Sequence, residues 1–167
     1  QTNSIKLNPE KVDLTELVKE NFILLQTQAK SKNIELRLIN PGPVVCEVDK
    51  NTINTALRNL ISNAIKFTFE HGYVEVKIEE WKDAAEVSVT DNGVGIGPEA
   101  IRKIFDIGAK HTTPGTKKEA GTGLGLILCK EFIEKNKGKL SVSSKVGEGS
   151  VFSFVLPKRF FCARKIL

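Results

Sequence analysis

Asn59-Leu60-Ile61-Ser62-Asn63-Ala64-Ile65-Lys66-Phe67-Thr68 is the second half of a run that begins at Asp49. In that run Ile53, Leu57, Leu60, Ile61 and Ala64 recur at spacings of three and four, the mark of an amphipathic helix, and Asp49 is placed to cap it. The stretch decides the fold because it also carries polar residues beside the apolar stripe. Asn59, Asn63, Lys66 and Phe67 stand at i, i+4, i+7 and i+8, along one side of the helix. Two amide oxygens and an ammonium one turn apart can hold a hydrated Mg²⁺ and the phosphates it bridges, because that ion takes oxygen ligands and keeps several waters. Read alone, the same row reads first as a solvated helix face.

Working outward, Val12 to about Lys32 repeats Leu14, Leu17, Val18, Phe22, Leu25 and Ala29 as another amphipathic helix, with Asp13 as its cap. Ile34–Leu38 and Val44–Val48 read as strands around the Pro41-Gly42-Pro43 turn. His71-Gly72 ends the central helix, and Tyr73–Glu80 and Glu86–Thr90 form a hairpin turning at Lys82-Asp83. Pro98 opens a short helix running towards Phe105. Residues 106–120 are polar with almost no apolar anchor and read as a surface loop expected to be mobile. A third long helix spans about Gly123 to Lys137, and Lys139–Ser144 and Ser150–Leu156 are the last strands. This order predicts a two-layer α/β (α+β) sandwich, with one sheet covered on one face by three helices.

Two glycine-rich stretches remain. Asp91-Asn92-Gly93-Val94-Gly95-Ile96-Gly97 follows a strand directly; alternating glycines let backbone approach a ligand, and a carboxylate at a strand end can accept from an exocyclic amine. Gly121-Thr122-Gly123-Leu124-Gly125-Leu126 opens the third long helix, where exposed amides and the positive helix end suit an anion. Each alone is also an ordinary glycine turn or hinge. The first is not a dinucleotide fingerprint and the second lacks the Lys-Ser/Thr ending of a Walker loop.

Taken in order, the Asn59–Thr68 stretch, DNGVGIG, GTGLGL and the closing GEGSVFSF at Gly147–Phe154 resemble the ATP-binding catalytic domain of sensor histidine kinases. That domain belongs to the superfamily of gyrase, heat-shock chaperone, histidine kinase and mismatch-repair ATPases (GHKL). The resemblance runs from about Val12 to Pro157 and implies the Bergerat fold, with a mixed, mostly antiparallel sheet and a flexible ATP lid at 106–120. It implies that Asn63 ligates Mg²⁺, that Asn59 supports metal or phosphate, and that Lys66 reaches the phosphates. Phe67 would line the adenine pocket, Asp91 would bind the adenine amine, and Gly93, Gly95 and Gly97 would shape that wall. Gly121, Thr122, Gly123, Leu124 and Gly125 would hold the triphosphate, with Phe105 at the hinge of the lid. ATP and Mg²⁺ are thus the implied cofactors, and Asn59 and Lys66 the implied catalytic groups.

The sequence departs from the family at Phe105-Asp106-Ile107-Gly108, where the usual pattern is Phe-Glu-Pro-Phe and the second aromatic is lost. A degenerate nucleotide-sensing or interaction module is the alternative this departure supports. Related ATPases resemble one another in carrying Glu where this chain has Asn59; a carboxylate there can take a proton, whereas an amide cannot. Asn59 therefore favours transfer to an already nucleophilic imidazole over hydrolysis. The two histidines are His71, in a turn, and His111, within the loop. Neither has the acidic helical context of an acceptor, so the resemblance implies an acceptor on a separate dimerisation and phosphotransfer domain of the full-length protein. A response regulator would follow indirectly. Residues 1–11 are expected to be a linker from that domain, 12–157 the catalytic domain, and 158–167 a basic tail or linker.

The chain of 167 residues has a formal charge of +5. Lys158, Arg159, Arg164 and Lys165 supply four of those charges with no acid among residues 157–167, and the loop supplies the remainder. No broad basic face of the kind nucleic-acid binding requires is left. No apolar run approaches the ~18 residues of a membrane span, so no membrane contact is expected of this segment. Three widely spaced cysteines, Cys46, Cys129 and Cys162, form neither a disulfide framework nor a zinc pattern and suit the cytoplasm. Family members are often anchored in the inner membrane with this domain on the cytosolic side.

Overall fold

The computed structural model describes residues 4–39, 42–106, 114–117, 119 and 123–160. Strand β1 (Pro9–Asp13) leads into helix α1 (Leu14–Ser31), followed by β2 (Glu35–Ile39), β3 (Val45–Asp49) and helix α2 (Lys50–Phe67). Strands β4 (Tyr73–Glu80) and β5 (Ala84–Asp91) form a hairpin; α3 (Pro98–Lys103), α4 (Gly125–Lys135), β6 (Lys139–Lys145) and β7 (Gly149–Pro157) complete the chain.

The helix starts are where capping chemistry puts them. The Asp13 side chain accepts from the Thr15 N–H, and Asp49 accepts from both the N–H and the hydroxyl of Thr52, satisfying amides that have no partner within the helix. Behind these caps, Leu17, Val18, Leu25 and Ala29 of α1 and Ile53, Leu57, Leu60 and Ile61 of α2 are buried. They meet Val74, Val76 and Ile78 of β4, Val87 and Val89 of β5, and Phe152, Phe154 and Leu156 of β7 in one core. The intervening strand residues Glu75, Lys77, Glu86, Ser88 and Ser153 are only half-buried, so the sheet's other face meets water. Three helices, α1, α2 and α4, cover one face of a mixed sheet, in keeping with the expected sandwich.

Two corrections concern the sheet and the ends. Among the described residues there are two sheets, not one: β2-β4-β5-β7-β6, with β2 and β4 parallel and the rest antiparallel, and a separate antiparallel pair of β1 and β3. Residues 9–11, read as the end of a linker, belong to β1 and pair with Glu47–Asp49. Their sequence gave no sign because only Val12 of β1 is buried and the partner strand lies 34 residues on. Residues 158–160, read as tail, are also fixed: Lys158 N–H donates to Asp83 O, Glu47 N–H donates to Lys158 O, and the Lys158 ammonium pairs with Glu80. Helix α2 ends at Phe67, as the sequence places it, and α4 begins at Gly125, two residues later than expected.

Candidate nucleotide site

Helix α2 presents Asn59, Asn63, Lys66 and Phe67 as half-buried side chains near its C-terminal end. Asn59 faces the start of α4, where a Cβ added to Gly125 would stand 3.9 Å from its amide carbon and nitrogen. Beneath it, Cys129 of α4 donates to Ala56 O at 3.3 Å. Burial pushes that thiol up to about 12, against a smaller opposing hydrogen bond from Asn59. The Lys66 ammonium stands 5.1 Å from the centroid of the Phe67 ring.

The glycine-rich stretch after β5 crosses α2 one turn beyond Asn63. Val94 N–H donates to Phe67 O at 3.0 Å, satisfying a carbonyl that the end of the helix leaves open. Asp91, only 6% exposed, closes the same corner, its Oδ1 accepting from Gly93 N–H at 2.9 Å. Burial raises its pKa above the ordinary carboxylate value, partly offset by backbone hydrogen bonds from Gly93 and Ser150. Gly93 lies so close to the helix end that a Cβ there would fall 2.1 Å from Phe67 O. Gly95, at φ +71°, lies against Lys145 O, and Gly97 caps α3 with Pro98 at the first helical position.

Supporting groups that motif reading missed complete this wall. Asn92 Oδ1 accepts from Tyr73 N–H at 2.8 Å, tying the loop to the start of β4. The Ser144 hydroxyl accepts from Ile96 N–H at 2.7 Å, donates to Gly149 O at 2.9 Å and lies 2.7 Å from the Ser150 hydroxyl. Ser144 falls in phase with the half-buried Leu140 and Val142, but a serine at the end of a strand beside a turn carries no signal of the loop it will bond.

At the other end, Gly123 (φ +72°) and Leu124 are exposed, and the N-cap residue of α4, Leu124, makes no side-chain cap. The amides at a helix start are suited to an anion. Phe105 is half-buried just beyond α3, with the Lys130 ammonium 5.7 Å from its ring. Gly121 and Thr122, Lys110, His111, Lys118 and Cys162 lie outside the described residues, as does most of 106–120. The described part of that loop bonds to the end of α2: Thr116 N–H donates to Lys66 O at 3.0 Å, and its hydroxyl donates to Thr68 O at 2.9 Å.

Among the described residues no group of His, Cys, Asp or Glu could hold a metal. The oxygen donors at hand are the amides of Asn59 and Asn63, a set that fits Mg²⁺ completed by phosphates and water better than an ion caged by protein alone. An open cleft of about 520 Å³ beside Pro43 and Trp81 lies at the far end of β4 and shares none of these residues.

The family described as histidine kinase-, DNA gyrase B- and HSP90-like ATPase matches residues 48–159, a span holding α2, both ends of the β4–β5 hairpin and α4. The chain belongs to that family. The histidine protein kinase DivJ of Caulobacter vibrioides is 32% identical over 148 residues, covering 87% of this chain and 24% of that kinase. The catalytic domain of the histidine kinase ThkA superposes with a TM-score of 0.80 at 28% identity, covering 93% of this chain and 99% of that domain. ThkA in complex with the response regulator protein TrrA aligns with a TM-score of 0.74 at 28% identity, over 92% of this chain and 42% of that one. The chain therefore corresponds to the catalytic domain of sensor kinases and spans about a quarter of DivJ. No helix among the described residues is long and apolar enough to cross a membrane.

Proposed function

We propose that this domain binds ATP with Mg²⁺ and transfers the γ-phosphoryl group to a histidine on a separate dimerisation domain of the full-length protein. The observation that carries the reading is the Asp91 corner: a buried carboxylate with one oxygen held by Gly93 N–H, beside Phe67 at the end of the helix bearing Asn59 and Asn63. Such a carboxylate can accept from an exocyclic amine while Phe67 covers the ring. From there α2 leads one turn back to Asn63, whose amide oxygen would ligate Mg²⁺ beside Asn59, and Lys66 would neutralise charge on the phosphates. Gly123, Leu124 and Gly125 would offer backbone amides to the triphosphate at the start of α4. Bound Mg²⁺ would supply electrostatic stabilisation of the transferring phosphoryl group.

The acceptor imidazole attacks the γ-phosphorus through a neutral nitrogen and ADP leaves, so the amide of Asn59 need not remove a proton from the nucleophile. ThkA was solved with a response regulator; for this protein a receiver domain would take the phosphoryl group onward. A cytosolic position fits the supply of ATP. The test is to mix the chain with a separately produced histidine-bearing dimerisation domain and labelled ATP, and to look for acid-labile phosphate on that partner. Label on the partner is expected, with none on this chain alone. The departure from the family at Phe105-Asp106-Ile107-Gly108 favours a second reading, a nucleotide-sensing module, for which the chain would bind ATP and label nothing.

A further inference from the structure

The end of α1 contains a lysine that none of the site motifs uses. Lys32 follows the last turn of the helix and is only 3% exposed. Its ammonium donates to Ile65 O at 2.9 Å and Lys66 O at 3.0 Å, and pairs with Glu119 Oε1 at 3.1 Å. Three donors thus meet three acceptors, two on the end of α2 and one on the loop.

Glu119 is held from its own side as well. Its backbone O accepts from Gly115 N–H at 3.1 Å and its Oε2 accepts from Lys117 N–H, also at 3.1 Å, so the carboxylate closes the 115–119 turn and presents its other oxygen to Lys32. Thr116 docks the turn on Lys66 O and Thr68 O, and the Lys117 ammonium reaches Glu70 and Ser31 O, both at 2.9 Å. A Cβ on Gly115 would fall 2.6 Å from Lys66 Cγ, so the turn lies directly on the side chain assigned to the phosphates.

A lysine buried merely to fill space is a poor choice, since taking an ammonium out of water costs several kcal/mol and an apolar side chain fills the same volume without that cost. What the charge adds is a directed tie between three elements far apart in sequence. We propose that Lys32 is a positioning residue for the nucleotide site, joining the loop at Glu119 to the last carbonyls of α2 and so fixing where the loop, Lys66 and Phe67 stand before nucleotide arrives. Helix-end carbonyls need only some donor; the Glu119 arm is what reaches the loop. A loop already ordered before nucleotide arrives loses less entropy on binding.

This inference rests on the nucleotide reading above, and the experiment separates the two. Affinity for a non-hydrolysable ATP analogue is measured by calorimetry, with hydrogen exchange at the Thr116 amide and the thermal midpoint recorded on the same samples. Glu119→Ala leaves the α2 carbonyls capped and frees only the loop. It is expected to weaken binding about fivefold, speed exchange at Thr116, and keep the midpoint within about 2 °C of wild type. Lys32→Met is expected to weaken binding similarly and lower the midpoint as well, because the carbonyls lose their donor. Lys32→Arg, which keeps charge and donors, is expected to restore binding to within about twofold of wild type. Unchanged or tighter binding by Glu119→Ala, with Thr116 still protected, would reduce Lys32 to a helix cap and overturn the inference, even if Lys32→Met did not fold. A wild-type chain that fails to bind the analogue overturns the nucleotide reading itself, and the inference with it.

Discussion

At Gly93 an added methyl would lie 2.1 Å from Phe67 O, whereas at Gly125 the nearest atoms, those of Asn59, stand 3.9 Å away. Both glycines belong to runs that read alike in sequence, yet they serve opposite needs. Around Gly93 the chain packs against its own backbone: Val94 bonds to Phe67 O, and Gly147 N–H donates to Val94 O at 2.8 Å. Around Gly125 a Cβ would meet, among the described residues, only Asn59 at ordinary contact distance, and the N-cap residue Leu124 offers no side-chain cap. The end proposed for adenine is thus a corner made by tertiary contact, and the end proposed for the phosphates is an exposed helix start. A glycine run alone does not say which of these it is.

Gly93→Ala should have the largest effect, because its methyl must displace backbone rather than a movable side chain. Overpacking of this kind costs about 3 kcal/mol, or roughly a 10 °C fall in thermal midpoint for a domain of this size. A midpoint within the error of wild type would break the contrast between the two ends.

Asp91→Asn should come next and should separate function from stability. One side-chain oxygen is committed to Gly93 N–H, so the substituted amide would turn its NH₂ towards the adenine amine, donor against donor. A loss of at least about tenfold in nucleotide affinity is expected from such a mismatch, measured by calorimetry. The folded pKa of Asp91 lies above the ordinary 3.8, so the folded state keeps this proton to higher pH than the unfolded chain does. The associated stability is present below 3.8 and is lost as pH rises through the folded value, so at neutral pH the ionised carboxylate is a cost. The Asn variant should therefore melt no lower than wild type at pH 7, while near pH 3 the advantage should vanish. Melting curves at the two pH values check the sign.

Asn63→Ala sharpens the phosphate end. It removes an amide oxygen with no side-chain partner among the described residues, so stability should change little. The gain in ATP affinity on adding Mg²⁺ should shrink by about fivefold, the scale of a single lost ligand or hydrogen bond. Titrations with Mg²⁺ and with chelator would show this, and an undiminished Mg²⁺ effect would remove Asn63 from the metal.

The smallest effect is expected at Gly125→Ala. Open space and a helical position predict unchanged or slightly higher stability, by about 0.5 kcal/mol. Any loss of nucleotide affinity would then arise from the methyl itself at the proposed anion site. A fall in midpoint like that of Gly93→Ala would show that both ends are equally packed.

The caps at Asp13 and Asp49, the stripes of α1 and α2 and the β4–β5 hairpin were legible because each is written in neighbouring residues. Strand β1 was not: Pro9–Asp13 buries one side chain and gains its structure only from β3. The site divided the same way. Asn59, Asn63, Lys66 and Phe67 could be placed on one helix side from spacing alone, and Asp91 could be placed at a strand end. Lys32, Ser144, Asn92 and Thr116 could not be found so, since each acts through a partner distant in sequence, as Lys32 does across 33 residues to Ile65.

By itself the sequence determined the helices and main-sheet strands of the sandwich, the row of polar residues along one side of α2 and the family to which the chain belongs, because periodicity and motif order are local properties. Only the tertiary structure decided that β1 and β3 stand apart from the main sheet. It alone decided that Gly93 is required by Phe67, and that the open carbonyls of α2 are shared among Val94, Thr116 and Lys32. A helix end must find partners for its last carbonyls, and which segments supply them depends on where the chain returns, not on the residues beside them.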